Sequence, residues 1–301
     1  YQLYLREGFR TTKACLEEMM IPRVLGRDAS EIEGIWNDLW ISTLADGRGG
    51  APVLALSIID VALWDIVGQR AGLPLHRLWG NYRTQMPVYG SGCWRGLGGE
   101  GMAEKAERFV AQGYKAIKMQ VGHIWGDVQD IANVQLMRDT VGPDIAIMVD
   151  VNMAWSADKA ILMGRKLEEF DIYWLEEPIW PVDDYDGLAY VRDRSNIRIA
   201  AGESEYTHYG FKEMITKRAV DVVQPDAIIQ GGIMELRKIF ALAEAWNLQI
   251  STHSYYTGPG MAATIHLSLS NMRSEFVEIR QLPPKKSFIQ PSLRPEEGYV
   301  T

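Results

Sequence analysis

The sequence predicts an α/β protein: a closed parallel barrel of the (β/α)8 type preceded by a helical subdomain. Three observations predict it. The 301 residues suit a barrel of ~250 residues plus a modest extra piece. From Pro87 onward, short apolar β-branched runs alternate with amphipathic segments, the pattern of repeated βα units. Each run also ends close to a polar residue, and those residues recur about one βα unit apart.

Taken in order, residues 1–82 read as mostly helical after an opening segment, Tyr1–Arg10, with no assignable pattern. Asp28–Glu31 supplies a cap and an acidic first turn for a helix carrying Ile32, Ile35, Trp36 and Leu39 at helical spacing. A glycine-rich loop over Ala45–Pro52 leads to a second helix, Val53–Ala71, which stops at Gly72 before Pro74. The most apolar helical stretch, Ile58–Gly68, carries Asp60 and Asp65, so no bilayer-spanning segment is expected. The strand runs are Pro87–Tyr89, Ala116–Val121, Ile145–Val151, Ile172–Leu175, Ile197–Ala200, Val220–Val223, Leu248–Ser251 and Phe276–Ile279. They read as continuous apolar runs because parallel strands are buried on both faces. Helices expected between them include Ala103–Ala111, Ala157–Glu169 and Met234–Ala245.

Composition removes whole classes of function. Hydrophobic residues at 47% and charged residues at 23% suffice for a large core, which excludes disorder and fibrous folds. Lys and Arg total 31 against 39 Asp and Glu, a net charge of −8, so no diffuse electrostatic hold on nucleic acid or anionic lipid is expected. Cys15 and Cys93 cannot build a disulfide framework or a cysteine-ligated zinc site. With no signal-peptide pattern at the start, the expected location is cytoplasmic. No glycine-rich phosphate loop occurs, so no nucleotide cofactor is indicated.

Gln120, Asp150, Glu176, Glu203, Asp226, His253 and Glu278 follow one another at intervals of 30, 26, 27, 23, 27 and 25 residues. Equivalent points of successive βα units share one rim of a closed barrel, the face where barrel active sites are built. Any one of these acids alone would read as a surface ion pair; in phase they read as a site. Asp150, Glu176 and Glu203 on neighbouring strands would repel one another when partly desolvated. A hard divalent cation resolves that conflict, and three oxygen ligands with open positions suit Mg²⁺. Asp226 and His253 on adjacent strands suit a dyad in which the carboxylate orients and strengthens an imidazole base. Lys118 lies inside an apolar run, so it needs a carboxylate or an anionic ligand as partner, and Gln120 points to the same side. Glu278 closes the ring, either as a proton donor to a developing oxyanion or as a plain salt-bridge partner.

These residues resemble the enolase superfamily, within it the mandelate racemase subgroup. The resemblance rests on Ala62–Gly80, Gly113–Gln120, Val149–Asn152, Trp174–Pro178, Ala201–Glu203, Gln224–Ala227 and Thr252–Ser254, in that order. It implies a (β/α)7β TIM-like barrel at 84–280, an N-terminal α+β capping domain at 1–83 whose start is incomplete, and a C-terminal segment, 281–301, returning to the capping domain. It also implies essential Mg²⁺, abstraction of the proton α to a substrate carboxylate, and a homo-oligomer. Carried over by position, Asp150, Glu176 and Glu203 are the metal ligands and Asp226–His253 is the base dyad. Lys118 matches the first lysine of the family's Lys-x-Lys motif, Glu278 the acid on the last strand, and Asn152 and Glu177 accompany the ligands.

One departure decides the expected reaction. The second lysine of the motif is Gln120 here, which neither takes nor gives a proton at neutral pH. Two-base racemisation should therefore fail. β-Elimination needs one base, because His253 can remove the α-proton and then protonate the leaving 3-hydroxyl. The expectation is an acid-sugar dehydratase acting on a small carboxylate. The alternatives are a one-base racemase or epimerase, and a degenerate member that binds metal and ligand without turnover. Arg6, Arg10, Arg48 and Gly47–Gly50 are the candidates for reading the substrate's far end, Arg95 for pairing a hydroxyl or a second carboxylate, and Tyr255 and Tyr256, which follow the dyad histidine, for the pocket wall.

Overall fold

The protein is described here from a computed structural model covering residues 10–280 and 295–301, so Arg6 and most of the opening segment lie outside the described residues. Residues 10–85 contribute helices only. A helix that includes the π-wound Cys15–Met20 and then Ile21–Val24 leads to α1 (Ile32–Ser42), α2 (Ala51–Ala71) and the short α3 (Leu75–Leu78). α1 buries Ile32, Ile35, Trp36 and Leu39, the stripe its spacing predicts. Asp28 does not cap it. Its side chain accepts from the Ser30 amide at 2.9 Å in a turn of its own, and α1 starts behind Glu31 with no side-chain cap.

α2 ends on Gly72 in the left-handed region, at φ +64°. By length and composition alone α2 is apolar enough to cross a membrane, with a mean hydropathy of 1.8. In this fold it is a packing helix. Ala55, Leu56 and Leu63 join Met20, Ile35, Trp36 and Leu39 in a core of their own.

β1 (Met86–Cys93), β2 (Ala116–Gln120), β3 (Ala146–Asp150), β4 (Ile172–Glu176), β5 (Ile199–Ala201), β6 (Val222–Val223), β7 (Gln249–Thr252) and β8 (Ser274–Arg280) run parallel. They pair in sequence order, and β1 closes the barrel by pairing with both β8 and β2. Between consecutive strands lie α4 (Gly98–Ala111), α5 (Asp127–Val141), α6 (Ala157–Leu167), α7 (Tyr185–Arg192), α8 (Thr207–Thr216), α9 (Ile233–Ala245) and α10 (Pro259–Leu269). This is a (β/α)7β barrel. β1 runs further than the expected Pro87–Tyr89, and its register with β2 shifts at Gly92, a bulge with φ +139°.

Inside the barrel, Tyr89, Ala116, Met148, Trp174, Ala200 and Val222 form one apolar layer. Side chains two residues further along each strand leave on the same side, which puts Ser91, Lys118, Asp150, Glu176 and Gln224 in the layer above. The helical subdomain docks on the barrel at the start of α9. Trp36 Nε1 donates to the Gly231 carbonyl at 2.7 Å, the Gly231 amide to Ser57 Oγ at 2.9 Å, and the Met234 amide to Asp60 Oδ2 at 3.1 Å. A Cβ at Gly232 would sit 2.3 Å from Asp60 Oδ2, so only glycine fits this joint. Burial pushes the Asp60 carboxyl up to about 8, despite the amides of Met234 and Ile233.

Of the C-terminal segment, 281–301, the described end 295–301 lies against the barrel: β9 (Tyr299–Val300) pairs antiparallel with Pro87 and Met86 at the start of β1. Residues 281–294 lie outside the described residues.

Candidate active site

The in-phase residues do meet at the carboxyl ends of the strands. A cavity of about 400 Å³ opens there, with Ser91, Lys118, Gln120, Asp150, Asn152, Glu203, His253 and Glu278 in its walls. That volume lies within the range of small-molecule sites.

His253 follows β7 and is buried. Its Nδ1 meets Asp226 Oδ2 at 2.7 Å. Since that carboxylate accepts, Nδ1 carries the proton and Nε2 faces the cavity, 3.4 Å from Glu203 Oε2 and 3.7 Å from Glu278 Oε2. The other Asp226 oxygen accepts from the amides of Ile228 (2.7 Å) and Ile229 (3.2 Å) and from Tyr256 Oη (2.9 Å). The dyad is therefore held rigidly from behind. Burial alone would lower the His253 pKa, but Glu203, Glu278 and Asp226 outweigh it and raise it to about 10. An imidazole expected to work near neutral pH is thus held protonated by bare acids.

Asp150, Glu176 and Glu203 share the rim without converging on one point. Among the described residues no three His, Cys, Asp or Glu side chains are arranged to hold a metal as they stand. Local partners draw them apart. Asp150 Oδ1 accepts from the Asn152 amide at 2.9 Å, and its Oδ2 from Asn152 Nδ2 at 2.8 Å. Glu176 Oε1 takes Lys118 Nζ at 2.5 Å, while its Oε2 accepts from Gln224 Nε2 at 2.7 Å and Trp174 Nε1 at 3.1 Å. Burial first, and neighbouring acids after it, raise the pKa of all three.

Glu177 is the more exposed contradiction. Its backbone sits at φ +40°, and both carboxylate oxygens are buried, with the Ser204 side chain as the one hydrogen-bonding group acting on them among the described residues. Burial, Glu203 and Asp150 hold its pKa well above the ordinary range against that contact. Four acids crowded in one dry rim is an arrangement a hard cation relieves.

Glu278 settles between its two expected roles. Burial would raise its pKa, but Lys118, His253, the Ser91 hydroxyl and the Ser254 amide bring it down to about 2. It stands 3.2 Å from Lys118 Nζ. In this arrangement it is an anion paired with Lys118. The same contacts keep Lys118 charged, its pKa raised by Glu176 and Glu278 against the effect of burial.

On the wall away from His253, Gln120 Nε2 donates to Asn152 Oδ1 at 3.0 Å and reaches Asp150 Oδ2 at 3.4 Å. Arg95 donates to the same Asn152 oxygen at 2.5 Å. Tyr255 lines the cavity, and Gly49 of the glycine-rich loop closes on the ring of Tyr206, another lining residue. Arg10 and Arg48 are exposed and not in its walls. Gln224 and Tyr256 brace Glu176 and Asp226, roles the sequence reading did not assign to them. Gln224, two residues past Val222, has the strand-end phase that could have shown its role, whereas the place of Tyr256 after the dyad histidine pointed only to the pocket wall.

Known proteins resemble this chain over most of its length. Residues 101–301 match the family described as enolase C-terminal domain-like, and residues 6–80 the mandelate racemase / muconate lactonizing enzyme N-terminal domain. A 3,6-anhydro-alpha-L-galactonate cycloisomerase of Streptomyces coelicolor is 39% identical over 77% of this chain, which spans 64% of that protein. An arabinonate dehydratase of Saccharolobus solfataricus is 30% identical over 95% of this chain and 77% of its own length. Among solved structures, an L-talarate dehydratase from Polaromonas sp. JS666, complexed with Mg and L-glucarate, superposes with a TM-score of 0.88 at 30% identity, covering 97% of this chain and 79% of that one. Matched at both ends and across its barrel, the chain belongs to the mandelate racemase / muconate lactonizing enzyme family of the enolase superfamily.

Proposed function

We propose that this site is that of a Mg²⁺-dependent carbon–oxygen lyase, which removes the proton α to the carboxylate of a sugar acid and expels the oxygen on the next carbon. The carrying observation is the asymmetry of the cavity. One wall presents His253 Nε2 with Asp226 behind it; the wall away from it presents the amides of Gln120 and Asn152 with Arg95, none of which is a base at neutral pH.

Asp150, Glu176 and Glu203 would hold the cation, with Glu177 beside them. Their oxygen donors, mutual repulsion and the crowded, buried Glu177 carboxylate fit a hard divalent ion. When bound, the ion supplies positive charge against the negative charge that develops on the substrate carboxylate. The chain's own residues do the rest. With the charge of the rim acids neutralised, His253 gives up the proton they hold on it, and its free Nε2 then takes the C2 proton while Asp226 steadies the resulting imidazolium. The same Nε2–H then protonates the C3 oxygen as the C3–O bond breaks, on one face of the substrate. Lys118 orients the substrate carboxylate, and Asn152 and Gln120 offer amides to its 2-hydroxyl. If that C3 oxygen is a hydroxyl, water leaves and the enol product becomes a 2-keto-3-deoxy acid.

A second reading is favoured by the 39% identity to a cycloisomerase. If the C3 oxygen belongs to an anhydro ring, the same proton transfers open the ring and nothing is lost. A panel of sugar acids and anhydro-sugar acids with Mg²⁺ in D₂O tests both, scored by trapping the 2-keto product. Deuterium entering C2 without elimination would make the enzyme a one-base epimerase. Mg²⁺ binding without exchange into any acid would leave a binding protein. Glu203→Gln should weaken Mg²⁺ by ~10-fold or more, measured by calorimetry, because it removes one charged ligand; unchanged affinity would remove Glu203 from the ligand set.

A further inference from the structure

Asn152 is held at its backbone N–H, its carbonyl and both ends of its side-chain amide. The N–H donates to Asp150 Oδ1 at 2.9 Å, and the carbonyl accepts from His123 Nε2 at 2.7 Å. The backbone, at φ +46°, is thus fixed from β3 and from the loop after β2. The side chain is fixed separately. Its Nδ2 donates to Asp150 Oδ2 at 2.8 Å, while its Oδ1 accepts from Arg95 at 2.5 Å and from Gln120 Nε2 at 3.0 Å. Gln120 and Asn152 stand in the cavity wall; Arg95, in the single helical turn Arg95–Leu97 after β1, stands behind them and does not. Trp125 Nε1 donates to the Arg95 carbonyl at 2.8 Å, so the backbone under that guanidinium is anchored without its side chain.

The two ends of a carboxamide have nearly the same shape, but one donates and the other accepts. Only neighbours confined to a single role decide which end faces where. Gln120 cannot decide for Asn152, nor Asn152 for Gln120, because turning both amides over preserves the bond between them. Two groups break that symmetry. Asp150 accepts only, and it is a proposed metal ligand whose oxygens a cation would share. Arg95 donates only, keeps its proton at any working pH, and has no part in the metal set. With Arg95 on Oδ1, Asn152 must turn Nδ2 towards Asp150, and Gln120 must turn Nε2 towards Asn152. Gln120 Oε1 is then left for the cavity, where it makes no hydrogen bond among the described residues.

We infer that Arg95 is a positioning residue that fixes the polarity of the Asn152–Gln120 amide pair, so that the wall away from His253 presents an acceptor, Gln120 Oε1, to the proton of the substrate's 2-hydroxyl. This role rests on the proposed α-proton abstraction, which places C2 between that wall and His253 Nε2. Arg95 acts through two amides and not by touching the substrate.

The test uses the full chain. In ¹⁵N-labelled protein the side-chain NH₂ groups of Asn152 and Gln120, identified by Asn152→Ala and Gln120→Ala, should each give one sharp pair of signals. Arg95→Met should broaden or double both pairs, as should Arg95→Gln, which can donate or accept. Arg95→Lys donates only and should keep them closer to wild type. Exchange of the α-proton in D₂O with Mg²⁺ gives a second readout, on gluconate and galactonate against their 2-deoxy counterparts. In Arg95→Met the hydroxy-over-deoxy ratio of kcat/KM should fall ~3- to 10-fold, the size of one neutral hydrogen bond, with Mg²⁺ affinity unchanged. Signals that stay sharp in Arg95→Met, Arg95→Gln doing as well as Arg95→Lys, or a ratio that does not move would each overturn the positioning role while leaving the α-proton abstraction intact. No exchange with any acid would sink the catalytic reading, and the hydroxyl contact with it, even where the amide signals respond.

Discussion

Two layers of the same barrel, one side chain apart along each strand, follow opposite rules. The lower layer, with Tyr89, Met148 and Trp174, is apolar and closely packed, its rings meeting edge to face. The upper layer, with Lys118, Asp150 and Glu176, is equally buried but charged, and its acids raise one another's pKa. Since the strands and their register are shared, backbone geometry cannot account for the difference. The lower layer holds the fold closed. The upper layer is built against stability, and its cost is tolerated because ligands complete it.

The largest expected effect breaks the upper layer alone. His253→Asn should lower α-proton exchange by ~10³-fold, within the range of a lost general base, and leave the urea midpoint nearly unchanged. Retained exchange would show that another residue is the base. Next, Trp174→Ala should destabilise by ~3–5 kcal/mol, the cost of a large buried aromatic, read from urea unfolding. A loss under 1 kcal/mol would mean that the lower layer is not the keystone it appears from packing.

The third test uses a control region. His76 and His266 face each other with Nδ1 atoms 2.9 Å apart, joining α3 to α10. Burial, then Arg77, lowers the His76 pKa; burial, then His76, lowers that of His266 to about 4. The unfolded chain therefore takes up protons near pH 6.5, before the folded one does. Stability should fall as the pH drops from about 6.5 towards 4, and His266→Gln should flatten that slope. A slope that survives in the variant assigns it elsewhere. The smallest effect sharpens the contrast. Glu177→Gln removes a buried acid crowded by Glu203 and Asp150 and should stabilise the metal-free protein by ~1 kcal/mol, visible as a small rise in melting temperature. A fall would mean that the Ser204 contact outweighs that crowding.

Legibility in the sequence followed the same division. Strand-end phase found the acids, the dyad and Lys118, because a repeat of one βα unit is a one-dimensional signal of a shared rim. It also foretold seven of the eight strands within a few residues, although β6 is only Val222–Val223. What it could not supply depended on contacts between distant segments. The ionised state of Glu278 is set by Lys118 and His253 on other strands. The crowding of Glu177 depends on Asp150 and Glu203 from other strands, and the destination of residues 295–301 on an antiparallel pairing with β1.

The pairing of β1 with β8 also bears on how the chain is made. The strand that closes the ring leaves the ribosome nearly two hundred residues after the one it must meet. Until then both edges of the growing sheet stand open, so a nascent chain waits with adhesive borders exposed. Synthesis speed and chaperone access, rather than final stability, should govern how much of it reaches the closed state.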